Sequence, residues 1–292
     1  MNKNFGLIGV AGFITPKHLE AIFTTQNNLS ISLDPHDSVG ILDKFFPNTK
    51  FFKEEKNFIK ELQSLNLDFI SICSPNYTHY DYIKTTLSNK INCICEKPLV
   101  LKSKEIYELM ALERKYTKKI FPILQLRLDP EIIKLKKIVE TDKDNKFYNI
   151  DLKYVTLRGD WYSKSWKGND ELSGGLLMNI GIHFFDILCW IFGEVINYKV
   201  HKKNNCSYSG SLLFKNSRVS WLLSVDREDL PSGHDSNVYK VMSINDTKLS
   251  FTNKNLHNEM YKKILNGDGF TLRDSLPSIE LVEKLKNRIQ CL

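Results

Sequence analysis

The first 125 residues are built as short apolar runs that each stop at a glycine-rich or polar tip, with helical stretches between them. Residues 5–10 (Phe-Gly-Leu-Ile-Gly-Val) end in glycines, and 29–33 (Leu-Ser-Ile-Ser-Leu) end at Asp34. Residues 68–73 stop at Ser74-Pro75-Asn76, 91–95 stop at Glu96-Lys97-Pro98, and 120–124 form a further run. In the intervals, 18–24 put Leu19, Ile22 and Phe23 on one side and 58–65 are amphipathic. Ser103 precedes helix formers reaching Lys118, where it is expected to act as the cap. Alternation of this kind implies βαβ units and an α/β fold with a doubly wound parallel sheet.

The second half changes character. Residues 147–158 alternate over a long span, 207–214 and 219–225 are strand-like, and 238–244 and 248–251 flank Asn245-Asp246, a hairpin-type turn. These predict a large, mostly antiparallel sheet in a C-terminal α+β domain. A strongly apolar helix over about 176–192 precedes it, and an amphipathic helix over 275–289 closes the chain. The division is expected at 1–124 and 125–292. Two domains also suit a length of 292 residues.

Composition excludes little else. Gly 14 and Pro 9 rule out collagen-like and low-complexity classes. Lys+Arg 41 against Asp+Glu 34 gives +7, spread without blocks of like charge. Such a mild excess suits an anionic small ligand as well as a nucleic acid, so it decides little by itself; no nucleic-acid partner is expected. The apolar stretch 174–193 holds His183 and Asp186, which argues for a buried helix and against a membrane span. The N-terminus lacks a signal-peptide pattern. Cysteines 73, 93, 95, 189, 206 and 291 show no zinc spacing, so reduced thiols in a cytoplasm and no metal are expected.

Gly9-Val10-Ala11-Gly12 follows the first strand and precedes a helix, which is where a dinucleotide's pyrophosphate sits in a Rossmann sheet. A G-x-G-x-x-G fingerprint would need glycines at Ala11 and Ile14. The spacing to His18 instead suggests a longer loop, through Phe13 and Ile14, with Gly12 as the close-approach glycine. Asp34 ends the second strand about 25 residues after Gly9, near the spacing of the acid that binds a ribose 2′-hydroxyl, which favours NAD over NADP. Ser74-Pro75-Asn76 with His79, and Glu96-Lys97-Pro98, end further strands at the same rim. Asn179, His183 and Asp186 have the spacing of one helix face. Arg158, Trp161, Tyr162, Trp166 and Lys167 combine cations with aromatics, as a sugar nucleotide requires. Each feature also has a plainer reading: an ordinary βα turn, a helix cap, a surface lysine, a core histidine, a packed tryptophan loop.

Together these features resemble the Gfo/Idh/MocA oxidoreductases. That family carries a Rossmann glycine loop, a strand-end [T/S]-P-N-x-x-H, an E-K-P, and a later G-G-x-x-x-[D/N]-x-G-x-H-x-x-D. Here these read Gly9-Val-Ala-Gly12, Ser74-Pro-Asn-Tyr-Thr-His79, Glu96-Lys-Pro98 and Gly174-Gly-Leu-Leu-Met-Asn179-Ile-Gly-Ile-His183-Phe-Phe-Asp186. Residues 8–18, 123–127 (Ile-Leu-Gln-Leu-Arg), Arg158-Gly-Asp-Trp-Tyr162, Ser165-Trp-Lys-Gly168 and Ser224-Val-Asp-Arg-Glu-Asp-Leu-Pro231 are similar to a subgroup acting on UDP-N-acetylglucosaminuronic acid. The resemblance implies NAD-dependent oxidation of that sugar's 3-hydroxyl, in bacterial synthesis of diacetamido-uronic acid sugars for lipopolysaccharide O-antigen, with 2-oxoglutarate recycling the cofactor. It implies cofactor contacts from Gly9, Ala11, Gly12, Phe13, Ile14, Asp34, Ser74, Pro75, Asn76, His79, Glu96, Lys97 and Gln125. Arg158, Trp161, Tyr162, Lys167, Asn179 and His183 would meet the substrate, with His183 as general base, Lys97 on the developing alkoxide, and Asn179 orienting.

Many members have aspartate at the position of Asn179. An amide exchanges no proton at neutral pH, so proton transfer falls to His183. The chain ends at Leu292, soon after its last helix, so contacts of a longer C-terminal tail are expected to be missing. A homo-dimer or tetramer built through the second sheet is the expectation by analogy. Two other readings stand beside this one: a dehydrogenase of another sugar or a polyol, and an NAD-binding sensor without turnover.

Overall fold

The computed structural model describes residues 2–144, 146–251 and 255–290, and the chain divides into two compact units. One comprises Met1–Gln125 with Lys254–Ser275, the other Leu126–Asn253 with Leu276–Leu292.

In the first unit the apolar runs form β1 (Asn4–Ile8), β2 (Asn28–Leu33), β3 (Lys50–Phe52), β4 (Phe69–Ile72), β5 (Asn92–Cys95) and β6 (Ile120–Pro122). They alternate with helices α1 (Thr15–Thr24), α2 (Ile41–Phe45), α3 (Glu55–Leu62), α4 (His79–Ser88) and α5 (Ser103–Tyr116). All pairs are parallel, in the order β3-β2-β1-β4-β5-β6. This is the doubly wound order, with its switch point between β1 and β4. Register sets Ile8 beside both Leu33 and Ile72, and Ile72 beside Cys95. The polar tips at Gly9, Asp34, Ser74 and Glu96 therefore emerge along one rim. Sequence patterning missed the short β3 and α2. It also placed the α5 cap one residue late: Ser103 is the first helical residue, and Glu105 accepts the Lys102 N–H at 3.1 Å instead.

The second unit carries α6 (Pro130–Thr141), β7 (Tyr148–Thr156), α7 (Trp161–Lys164), α8 (Asp170–Ser173), α9 (Ile182–Phe192) and strands β8 (Asn197–Asn204), β9 (Ser207–Leu213), β10 (Ser217–Ser224), β11 (Val238–Ile244) and β12 (Thr247–Lys248). The sheet order is β12-β11-β7-β10-β9-β8, antiparallel at every pair except β7–β10. Asn245 and Asp246, both at positive φ, close the expected hairpin, although β12 is shorter than patterning suggested. The apolar helix covers one sheet face: Phe184 packs on Tyr154, Phe185 meets Trp221 edge-on at 5.6 Å, and Phe192 packs on Tyr148. Gly181 permits this, since a Cβ there would lie 2.6 Å from Leu223. The opposite face exposes Asn149, Lys153, Arg218 and Ser220. Residues 170–192 are the one described stretch long and apolar enough to cross a membrane, and 78% of the apolar window is buried inside the protein.

After the second sheet the chain returns to the first unit as α10 (Leu256–Leu265), which patterning did not find, and α11 (Leu272–Gln290) begins three residues before the expected start. Cys73, Cys93 and Cys95 are buried free thiols, and Cys189 and Cys206 are also free; Cys291 lies outside the described residues.

Asp186 pairs with Arg127 through two bonds, Nε to Oδ2 at 3.0 Å and a terminal nitrogen to Oδ1 at 2.8 Å, with both side chains 4% exposed. A bidentate pair buried this deeply strands a charge when one partner is removed. Asp186→Ala should lower the stability of the second unit by about 3–5 kcal/mol. Chemical denaturation followed by tryptophan fluorescence measures this, and a loss below about 1 kcal/mol would show the pair to be energetically idle.

Candidate active site

Two clusters carry the polar residues singled out by the sequence. The first is the rim of the parallel sheet. Gly9 has φ +92°, and a Cβ there would fall 2.5 Å from the Ser74 backbone nitrogen. Gly12 would place a Cβ 2.9 Å from the Cys73 carbonyl. The loop therefore lies flat against the end of β4, with Thr15 closing it by donating to the Gly9 carbonyl. Asp34 is buried, with Oδ2 accepting the Ala11 N–H and Oδ1 the His36 N–H, each at 2.8 Å. The acid so holds the loop it was expected to face, and its remaining lone pairs can still accept hydroxyls. Ile14 leads into α1, and Phe13 projects outward, 90% exposed.

Along the same rim, Ser74 Oγ and Thr78 Oγ1 lie 2.7 Å apart, Thr78 donates to the Pro75 carbonyl, and Asn76 is buried. His79 is 1% exposed, with ring nitrogens 2.8 Å from the Pro98 carbonyl and 2.9 Å from that of Ser74. Burial lowers its pKa, and a neutral ring carries one N–H, so it donates to one of the two carbonyls at a time while packing beneath both strand-end loops. Glu96 is also turned inward, 4% exposed, while Lys97 beside it is half-buried. Gln125, after β6, has a buried Oε1 with no hydrogen-bond donor.

Glu96 belongs to a network that sequence reasoning missed. Its Oε1 lies 2.9 Å from Nε2 of both His18 and His257. His18 Nδ1 meets the Tyr261 hydroxyl at 2.8 Å, and that hydroxyl meets Ser71 Oγ at 2.7 Å. Burial alone would raise the Glu96 carboxyl, yet the two imidazoles hold it well below the usual carboxylate range. Burial lowers His18, with Glu96 opposing. The donor types are those of a metal site, but the 2.9 Å separations are N–H···O distances and a proton fills each gap. His18 sits in the stretch following the glycine loop; His257 lies in the unread helix α10, whose only signal was the apolar spacing of Leu256, Met260 and Ile264.

The second cluster is in the other unit. Between residues 173 and 188, every residue is buried except Asn179 and His183. A π-helical turn over Leu177–Gly181 precedes α9 and carries Asn179; such turns recur at functional sites. His183 is thus not a sealed core histidine, whereas Asp186, one turn on, faces inward to Arg127. Asn179 Nδ2 donates to the Tyr162 hydroxyl at 3.3 Å. The Arg158 guanidinium lies over the Tyr162 ring, and the Lys167 ammonium lies 5.2 Å from the centre of Trp161 and 5.6 Å from that of Trp166. Trp161 is 51% exposed and stands edge-on to Tyr162. Burial, then the Arg158 charge, lowers the Lys167 pKa. Two cations that repel each other on an aromatic floor form a receptor for an anion.

Residues 3–123 match the oxidoreductase-family model described as an NAD-binding Rossmann fold, and residues 136–230 match that family's C-terminal alpha/beta domain. The chain belongs to the Gfo/Idh/MocA oxidoreductase family. Among solved structures, it is similar to the WlbA (WbpB) dehydrogenase of Thermus thermophilus in complex with NAD and UDP-GlcNAcA. That likeness is 38% identity over 97% of this chain and 94% of the other, with a TM-score of 0.92. The same Thermus dehydrogenase with NAD and alpha-ketoglutarate matches at a TM-score of 0.91, 38% identity, 96% of this chain and 93% of the other. Curated relatives are more distant. The myo-inositol 2-dehydrogenase of Thermotoga maritima is 26% identical over 147 residues, 50% of this chain and 42% of that protein. Aligned portions cover 43%, 69% and 38% of three further curated relatives. The first unit is the family's NAD-binding domain, and its flat glycine loop and the orphan Gln125 carbonyl, which needs a donor such as a carboxamide, fit that cofactor.

Gly9→Ala forces a side chain into backbone at positive φ, so NAD+ affinity should fall at least about tenfold, measured by fluorescence titration, with a lower Tm; unchanged binding would contradict the flat-loop geometry. The Glu96 network also makes a pH prediction. The folded His18 pKa is below its ordinary value of 6.5 and the folded Glu96 pKa is below 4.5. Both contributions are therefore present above those values and lost as pH falls through and beneath them. Tm should drop progressively as pH falls from about 6.5 to below 4.5, and a flat profile there would contradict the coupling.

Proposed function

We propose that this protein oxidises the 3-hydroxyl of UDP-N-acetylglucosaminuronic acid with NAD+, giving a 3-keto sugar nucleotide for a following aminotransferase. The observation that carries the reading is the second cluster. Arg158 and Lys167, floored by Trp161, Tyr162 and Trp166 and hydrogen-bonded through Tyr162 to Asn179, match the demands of a diphosphate, a carboxylate and a base. The 38% identity across nearly the whole chain to a dehydrogenase solved with NAD and UDP-GlcNAcA supports the choice of substrate.

The cofactor, when bound, accepts the hydride from carbon 3. Gly9, Ala11, Gly12, Phe13 and Ile14 would hold its pyrophosphate, Asp34 would accept its ribose hydroxyls, and Ser74, Pro75, Asn76, Lys97 and Gln125 would meet its nicotinamide end. His79 and Glu96 support those loops from within. His183 Nε2 or Nδ1 takes the 3-hydroxyl proton, since imidazole is suited to proton transfer near neutral pH. Lys97 donates a hydrogen bond to the same oxygen and stabilises its developing charge. Asn179 orients the sugar without exchanging a proton. Alpha-ketoglutarate binding by the Thermus relative supports 2-oxoglutarate as the acceptor that regenerates NAD+. We place the reaction in the bacterial cytoplasm, on the route to lipopolysaccharide O-antigen sugars, with a homo-dimer or tetramer assembled through the exposed face of the second sheet.

The test mixes protein, NAD+, UDP-N-acetylglucosaminuronate and 2-oxoglutarate and looks for keto sugar by mass spectrometry. His183→Ala should cost about 10²–10⁴-fold in kcat while NAD+ still binds. Lys97→Met should reduce turnover more than nucleotide affinity. Wild-type turnover in His183→Ala would remove the base assignment. UDP alone should bind the wild type; failure to bind it, with activity on a free polyol, would replace the substrate class. A folded, NAD-binding protein without product from either would be a sensor.

A further inference from the structure

We propose that Glu96 is a positioning residue for Lys97, held in that role by His18 and by His257 from α10, so that a helix 160 residues along the chain helps set the reacting end of the first unit. The inference rests on the reading of Lys97 given above and adds to it the residues that fix its backbone.

Glu96 distributes its oxygens between two tasks. Oε2 accepts the Lys97 backbone N–H at 3.1 Å, and Oε1 accepts from both imidazoles at 2.9 Å. An ionised carboxylate is acceptor-only, so both rings must present Nε2–H to it. His18 Nδ1 then accepts from the Tyr261 hydroxyl, and the Tyr261 oxygen accepts from Ser71. Proton directions along Ser71, Tyr261, His18 and Glu96 are therefore all determined by the one negative charge at the end. His257 stands edge-on to His18, ring centres 5.1 Å apart, which limits rotation of either. The chain of bonds joins β4, α1, α10 and the end of β5. It converges on the peptide N–H of the residue assigned to the alkoxide.

The titratable groups facing Glu96 are His18, Cys73, His79, Cys95, His257 and Tyr261. Burial raises the two thiols and the phenol and lowers His18 and His79, so each of these five is held toward its neutral form. Glu96 is the site where charge collects. A carboxylate restrained by three donors keeps Lys97 at a fixed height on the rim; with one imidazole missing, burial is less strongly opposed and Glu96 takes up a proton more readily. A protonated Glu96 loses its charge-assisted hold on the Lys97 peptide.

His257→Phe keeps an aromatic ring and removes the donor, whereas His257→Gln keeps an N–H that can reach Oε1. The Phe variant should lose about 10–100-fold in kcat, with the NAD+ dissociation constant within about threefold of wild type. The acid limb of its kcat/KM profile should move to higher pH. The Gln variant should restore kcat to within about threefold and return the limb toward its original position. Should His257→Phe fail to fold, Tyr261→Phe removes the hydroxyl that orients His18 and should shift the limb the same way by a smaller amount. Wild-type kcat and limb in the Phe variant, or equal effects of Phe and Gln confined to Tm, would reduce the network to a brace for α10. Lys97→Met separates the two levels. If it turns over like wild type, the role of Lys97 fails; if it is slow while His257→Phe is normal, only the positioning fails.

Discussion

Parallel pairing of β2, β1, β4 and β5 in near-level register is the constraint on which the site depends. Parallel strands present their carboxyl ends on one side, and helix crossovers carry the chain back each time. With Leu33, Ile8, Ile72 and Cys95 abreast, the next residue of each strand makes one last backbone bond to its neighbour, and the chain beyond must satisfy its polar groups by other means. Gly9 lies down on Ser74, Asp34 takes the Ala11 amide, and Glu96 takes two imidazoles. A one-residue slip in any pair would exchange a buried aliphatic for a polar tip.

The second unit solves a different problem. Its helix is apolar enough to be buried all round, and α9 and the turn before it are buried on nearly every side. Asn179 and His183 are the exceptions in a sixteen-residue span. Keeping two side chains out of an otherwise sealed segment costs burial, while the rest of the segment packs apolar residues inward, Phe185 on Trp221 among them. The cations of 158–167 sit beside the half-buried Asn179 amide through Tyr162, so charge suited to an anionic ligand and polarity suited to a hydroxyl are supplied by one unit.

The parallel sheet was readable because its strands are short apolar runs with polar stops, and the hairpin at Asn245-Asp246 because few residue pairs tolerate two positive φ values. The short β3 and α2 were not, since three to five residues give no period. His257 and Tyr261 escaped notice because nothing local marks them: their partners, His18, Ser71 and Glu96, are 161 to 243 residues distant for the direct histidine contacts and 190 for Ser71. Asp186 shares the spacing of a site residue with His183, but only the bidentate bond to Arg127 reveals that it faces inward. Glu96 and His79 were legible as important residues; that they act from beneath the rim required coordinates.

The central claim is that carbon 3 of a UDP-hexuronic acid gives up its hydrogen to the nicotinamide. The most direct measurement uses UDP-N-acetylglucosaminuronic acid deuterated at carbon 3 in a single turnover with NAD+. The account predicts deuterium on the reduced cofactor, with a slower hydride step than for the unlabelled sugar. Unlabelled reduced cofactor, or deuterium retained in the product, would contradict it.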